Sequence, residues 1–214
     1  MGLILVAQPA PFDIEHPTNG ALIINLKPLV KRINDDQFFE FCVANADLRI
    51  ERKANGEIVI MPPEGGTSGG RNATITAELV VWTRQDGRGV AFGSSAGFRL
   101  PNGATYGPDA AWVRRDRLEQ LTQREKERFL PLCPDFVIEL RSASDRLRPL
   151  QEKMEEYIDN GALLGWLIDP TDHSVYIYRP HQPVERQMDV ISLSGDPELP
   201  GFVLDLASIW NPGF

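Results

Sequence analysis

Residues 134–145 read PDFVIELRSASD. Phe136, Val137, Ile138 and Leu140 are apolar on both sides of the strand alternation, which predicts a central strand in a sheet covered on both faces. Glu139 interrupts that run, and Arg141 follows two residues later. A carboxylate in such a strand is costly to bury without a partner, so Glu139 either faces solvent or belongs to a site. Alternation puts Glu139 and Arg141 on one face, with the carbonyl of Leu140 between them.

Working outward, the preceding strand is GPDAAWV, with Pro108-Asp109 at its entrance. Further back, INDDQFFEFCVAN predicts a capped helix over 33–45, and LRIERKANGEIVIMPP a hairpin turning at Asn55-Gly56. The glycine-rich EGGTSGGRN at 64–72 predicts a loop, followed by a helix with apolar positions 75, 79, 80 and 82 that stops at Asp86-Gly87. Strand-like stretches lie around 90–92, 97–100 and 110–113, the last two joined through a turn at Asn102-Gly103, and polar helical sequence fills 115–129. Downstream, DRLRPLQEKMEEYIDNGA is an amphipathic helix with Leu150, Met154, Tyr157 and Ile158 on one face, then GWLIDP and SVYIYRP are two strands. This order predicts an α/β or α+β fold with a mixed sheet flanked by helices, in one domain over 1–214 with an arm at 1–30 and an extension at 181–214.

The 214 residues are 42% hydrophobic and 24% charged, ordinary values for a soluble globular chain with one core. A net charge of -8 with a pI near 5.0 gives no global positive field, so any nucleic-acid contact has to come from a local patch. Cys42 and Cys133 lack metal-ligand spacing and read as buried free thiols in a reducing compartment. MGLILVAQPAPF has no basic region or cleavage site, Gly2 lacks the downstream hydroxyl of a myristoylation signal, and no segment is a membrane span. A cytoplasmic location is expected.

Asp109 and Glu139, on neighbouring strands, are able to converge on one oxygen-rich pocket suited to Mg²⁺ or Mn²⁺. Lys153 borders the buried stripe of its helix and is able to reach back over the sheet, and Glu51 on the hairpin offers a further carboxylate. Each has a plainer reading. Pro-Asp is common turn chemistry, Arg141 fits an ion pair with Glu139, and Lys153 fits a surface pair with Glu156. The glycines at 65–70 lack the Gly-Lys-Ser/Thr ending of a phosphate loop, Ser68 is in no nucleophile elbow, and His16, His173 and His181 fall in turns or tails. Paired acids also serve glycosidases, but Trp82, Trp112, Trp166 and Trp210 read as core rather than as a sugar cleft.

The succession NGEIVIMPP, SGGRNATITAELVVW, GPDAAWV, PDFVIELRSASD, QEKMEEYIDNGALLGWLIDP and VYIYRP resembles the Uma-type endonuclease family. That family is common in cyanobacteria, was long filed as a domain of unknown function, and belongs to the restriction-endonuclease-like PD-(D/E)XK superfamily. The resemblance covers roughly residues 30–180. It implies a restriction-endonuclease-like fold with Mg²⁺ or Mn²⁺ held by Asp109, Glu139 and the Leu140 carbonyl. The superfamily's lysine stands two residues after the acid, where this chain has Arg141; the resemblance moves that role to Lys153, which with Arg141 would orient the attacking water and neutralise the transition state, with Gln151 in support. It also implies an earlier acid, for which Glu51 and Glu78 compete. DNA is the implied substrate, a homodimer the implied assembly, and a binding descendant without catalysis the alternative.

Overall fold

The structure, a computed structural model, describes residues 14–15, 22–24 and 33–213. The stretch 1–12, with Gly2, and His16 lie outside the described residues. The chain runs β1 (Ile14–Glu15), β2 (Leu22–Ile24), α1 (Asp35–Ala44), β3 (Arg49–Arg52), β4 (Ile58–Met61), α2 (Gly66–Asp86) and β5 (Gly89–Gly93). It continues through β6 (Phe98–Arg99), β7 (Thr105–Tyr106), β8 (Ala110–Arg114), α3 (Arg115–Glu119), α4 (Gln123–Lys126), β9 (Phe136–Leu140) and α5 (Leu147–Asp159). Last come β10 (Leu164–Asp169), β11 (Ser174–Tyr178), β12 (Glu185–Met188), β13 (Ser192–Ser194), β14 (Val203–Asp205) and α6 (Ala207–Trp210).

A six-stranded sheet in the order β12-β11-β10-β9-β8-β5 carries the core, with β9 and β10 parallel and every other pair antiparallel. The parallel pair requires a crossover, and α5 supplies it. Every residue of β9, β10 and β11 is buried, as the unbroken apolar run at 136–140 predicts. On one face Trp112, Phe136, Ile138, Leu140 and Trp166 pack beneath Ile75 and Leu79 of α2 and beneath Phe202 and Leu204. On the other, Ala111, Val113, Val137 and Leu167 meet Met154 and Tyr157 of α5 together with Phe98 and Tyr106. Strand alternation assigns Glu139 to this second face, under α5.

A second sheet, β1-β2-β4-β3-β7-β6, is antiparallel throughout and contains the expected hairpin, β3 to β4. Its turn uses Gly56 at φ 85, a conformation that a side chain resists. The turn at Asn102-Gly103 leads into the short β7 rather than directly into β8. No helix among the described residues is long and apolar enough to cross a membrane. Both cysteines are free; Cys133 is buried and Cys42 half-buried.

Two expectations are corrected. Residues 66–72 form the first two turns of α2, not a loop. Each helical glycine costs about 1 kcal/mol relative to alanine, but tertiary anchors outweigh that here. Arg71 Nε donates to the Ile209 carbonyl at 2.7 Å, Asn72 Nδ2 to Glu64 at 2.8 Å, and Ile75 and Leu79 are fully buried. The polar stretch 115–129 holds two short helices instead of one, because Thr122 opens α4 with a capping box that breaks the run.

Gly89 on β5 lies against the Trp112 indole, and a Cβ there would sit 2.2 Å from Cε2. Gly89→Ala is expected to lower unfolding free energy by about 1–3 kcal/mol, read from the urea midpoint, because a rigid buried ring has to shift. An unchanged midpoint would mean that the ring yields freely.

Candidate active site

The β8–β9 register pairs Ala110 with Ile138, and one step further along the same antiparallel ladder Asp109 stands opposite Glu139. Pro108 has no N–H to give the ladder, so pairing starts only after it, and Asp109 is left at the mouth of the strand. Its Oδ2 accepts from the Leu140 amide at 2.8 Å, which fixes the carboxylate across the end of β9.

Lys153 comes from α5, one residue before the fully buried Met154. Its Nζ lies 2.8 Å from Glu139 Oε1 and 2.9 Å from Glu51 Oε1. Glu51 Oε1 also accepts from the Gly107 amide at 2.9 Å, and Tyr157 OH donates to Glu139 Oε1 at 3.2 Å. The ammonium stands 5.1 Å from the Tyr106 ring centroid and 5.8 Å from that of Tyr157, within cation–π range of both. Tyr106 is in turn held by Glu156, to which its hydroxyl donates at 2.6 Å. Arg49, two residues before Glu51 on β3, completes the group: Nη2 reaches Asp109 Oδ1 at 3.2 Å and Nη1 reaches Glu64 Oε1 at 2.8 Å.

Burial is the largest influence on Glu139 and pushes its carboxyl up to about 7, opposed by Lys153 and reinforced by the charges of Asp109 and Glu51. Asp109 is raised too, again chiefly by burial, although Arg49 and the Leu140 amide pull it down. Burial opposes the charge on Lys153, yet Glu139 and Glu51 outweigh it and hold the ammonium above its ordinary range. Burial thus works against the charge on Glu139 and Asp109, while the charge on Lys153 is held.

The structure brings together Asp109, Glu139, Lys153 and Glu51. It does not bring Glu78, which is exposed on α2, and Gln151 is half-buried with no hydrogen bond to the cluster among the described residues. Arg141 is directed elsewhere. Its Nη1 pairs with the fully buried Asp169 at 2.6 Å, its Nε donates to the Asp145 carbonyl, and its amide extends the ladder to Ile168. The pairing of Arg141 with Glu139 is not formed. Arg49 was not marked by the sequence reading, although its i, i+2 relation to Glu51 on a strand places both on one face.

A hard divalent cation fits the donor chemistry. Glu51, Glu64, Asp109 and Glu139 face only Arg49 and Lys153, so carboxylates are in excess. Among the described residues no three His, Cys, Asp or Glu side chains are grouped to hold a metal by themselves. Asp109, Glu139 and the Leu140 carbonyl, with Glu51 beside them, would hold an ion that needs few protein oxygens, such as Mg²⁺. Asp109 and Leu140 open onto a cleft of about 400 Å³ walled by the start of α2 and by Ser142–Asp145. Another cleft, about 330 Å³ between α1 and α4, is lined by Arg99, Arg124 and Arg128, each already paired with Asp35 or Asp36.

Comparison with known proteins bears on the family and the fold. A putative nuclease of the DUF820 group from Anabaena variabilis ATCC 29413, solved by crystallography, superposes with a TM-score of 0.64 at 19% identity, over 76% of this chain and 89% of its own. At that identity the likeness shows a shared restriction-endonuclease-like fold. No curated protein matches the chain. The family model Uma2, described as putative restriction endonuclease, matches residues 35–207, which takes in β3, α2, β8, β9 and α5 and so every member of the cluster. The chain belongs to the Uma2 family.

Proposed function

We propose that this protein is a metal-dependent nuclease that hydrolyses phosphodiester bonds in DNA. The observation that carries the reading is the Lys153 ammonium shared between Glu139 and Glu51, with Asp109 fixed one ladder step away by the Leu140 amide. A Mg²⁺ or Mn²⁺ ion at Asp109, Glu139 and the Leu140 carbonyl would supply an acidified water and a counter-charge for the phosphate. The chain's own groups do the rest. Glu51 and Glu139 hold Lys153 charged, and its Nζ has donors to orient a nucleophilic water or to meet negative charge developing on phosphorus. Tyr157 fixes Glu139 from the helix side, and the Tyr106–Glu156 bond fixes the ring beneath the ammonium. Arg141 acts as a positioning residue in this scheme, tying Ser142–Asp145, one wall of the cleft, to Asp169. Cutting both strands of a duplex would use two copies of the site.

A second reading, a nucleic-acid- or protein-binding descendant of the fold, draws on the net charge of -8 and on the ion pairs already satisfying Asp109 and Glu139. Mn²⁺ calorimetry beside plasmid nicking separates the two. The nuclease is expected to bind Mn²⁺ and nick. Glu139→Gln should weaken Mn²⁺ by more than the roughly 10–100-fold typical of losing a ligand's supporting partner, and abolish nicking. A folded wild type that neither binds nor nicks would move the conclusion to the second reading.

Lys153→Met strands two buried carboxylates. It is expected to cost about 3–5 kcal/mol of stability and to stop nicking, whereas Lys153→Arg should restore much of the stability. Equal urea midpoints for wild type and the methionine variant would remove Lys153 from the electrostatic centre of the site.

The raised carboxyl of Glu139 has two consequences with pH. The folded chain holds that proton up to about 7, while the unfolded chain releases it near the ordinary glutamate value of 4.5. Its stabilising contribution is therefore full below the lower value and lost as pH rises through the upper one. The Tm of the wild type should fall between pH 5 and pH 8 by more than that of Glu139→Gln, and Mn²⁺ affinity should fall as pH drops below about 7. Parallel Tm profiles for the two proteins would contradict the assignment.

A further inference from the structure

Arg49 is the more exposed of the cluster's two cations. Its side chain is 28% accessible, against 12% for Lys153, 7% for Asp109 and Glu51 and 4% for Glu139. It is also where three clefts meet. The cleft of about 400 Å³ reaches Asp109 and Leu140, one of about 480 Å³ reaches Glu51 and Tyr106, and one of about 720 Å³ runs along Pro62–Glu64 and past Asn72 to Ser94 and Ser95. Arg49 lines all three and is the residue shared by the opening onto Asp109 and the opening onto Glu51, so it stands as the partition between them.

The contacts of the guanidinium are those of an anion-binding group. Nη1 and Nη2 span two carboxylates, Glu64 at 2.8 Å and Asp109 at 3.2 Å, while Nη2 also donates to the Gly107 carbonyl at 2.8 Å. Nε is buried and has no hydrogen-bond partner among the described residues, which leaves part of the donor fork unused there. A planar fork of this kind matches the oxygens of a phosphate as well as it matches carboxylates. The bond to Asp109 is the long one of the three, and Asp109 is the same carboxylate a divalent cation would use. Two cations on one buried carboxylate repel, so Arg49 and a metal ion are in competition for Oδ1.

We propose that Arg49 is the residue that grips the phosphate undergoing cleavage, parked on Asp109 and Glu64 until it yields Asp109 to the divalent cation. This rests on the metal-nuclease reading above and adds to it a substrate contact and a gate. Rotation of one side chain releases Asp109, joins the clefts on either side of the partition and presents a fork to a phosphodiester. The surrounding strands need not move.

The proposal makes a pair of effects with opposite sign, which a merely structural Arg49 cannot produce. Arg49→Ala removes the competitor from Asp109, so Mn²⁺ measured by calorimetry should bind about fivefold or more tightly. It also removes the phosphate contact, so plasmid nicking at saturating Mn²⁺ should slow about 100-fold, in kcat more than in KM. Arg49→Lys keeps a positive charge without the fork. Its Mn²⁺ affinity should return toward wild type while most of the loss in kcat remains, and this variant carries the test where the alanine variant does not fold. Tighter Mn²⁺ with slower nicking supports the gate. Weaker Mn²⁺ together with slower nicking would show that Arg49 only holds Asp109 in place, and nicking at the wild-type rate in either variant would show that it touches no phosphate; both overturn the proposal and leave the nuclease reading standing. A wild type that binds no Mn²⁺ and nicks nothing sinks that reading, and the gate with it.

Discussion

One ammonium joins the parts of this molecule that matter. Lys153 Nζ lies within 3 Å of carboxylates from both large sheets, Glu51 of β3 and Glu139 of β9, and it is carried by the crossover helix that makes β9 and β10 parallel. Neither acid could be buried where it is without that charge, since an isolated carboxylate in such surroundings would take up a proton instead. The position of α5 is therefore set twice, by the apolar contacts of Met154 and Tyr157 and by an electrostatic demand one residue away. Gly165 on β10 lets the helix come close: a Cβ there would stand 2.5 Å from Met154 Cε.

From that contact the rest of the site follows as a balance of burial against charge. Glu139, deepest in the cluster, is pushed toward neutrality by burial even with Lys153 beside it, while Lys153 is kept charged by having two acids to itself. A structural ion pair would be expected to match charges one for one. Here acids outnumber cations, and the surplus lies toward the cleft, at Asp109 and Glu64, where Arg49 spans them. An excess of negative charge that opens on solvent is the feature on which the proposed cation site rests.

Much of this could be read in the sequence, and the reasons are local. Glu139 announces itself because five buried residues in a row leave no solvent side for a carboxylate to occupy. Asn55-Gly56 and Asp86-Gly87 mark a turn and a helix stop through backbone chemistry that needs no tertiary context, and Gly56 and Gly87 both have positive φ. Whether Glu51 or Glu78 faces the site could not be read, because that depends on how the hairpin sheet docks on the core sheet, a contact between segments far apart in the chain. Arg141 misleads for a related reason: alternation gives the face of a residue inside a strand, but β9 ends at Leu140, and past that end the side chain is free to turn to Asp169. The glycines at 66–70 argue for a loop by propensity, and tertiary anchors such as Arg71 reaching the carbonyls of Ile209 and Trp210, well over a hundred residues away, keep them helical.

The position of the lysine is the point at which fold and chemistry constrain each other. Two residues after the acid, a cation on the strand has to share its place with the end of the β9–β10 ladder, where Asp169 is wholly buried and needs a partner of its own. An arginine serves that end well, since its fork satisfies Asp169 with Nη1 and the Asp145 carbonyl with Nε at once. Once Arg141 is committed there, the charge for Glu139 has to arrive from another element, and α5 is the element that covers its face. A lysine suits that route: a flexible stem brings its ammonium within cation–π range of the Tyr106 and Tyr157 rings, and a compact ammonium has three donors to divide between Glu139, Glu51 and whatever lies in front of them. Had the strand carried both duties, one buried acid at each end of the same short segment would have competed for a single cation, and a carboxylate left over in that competition would have stayed protonated.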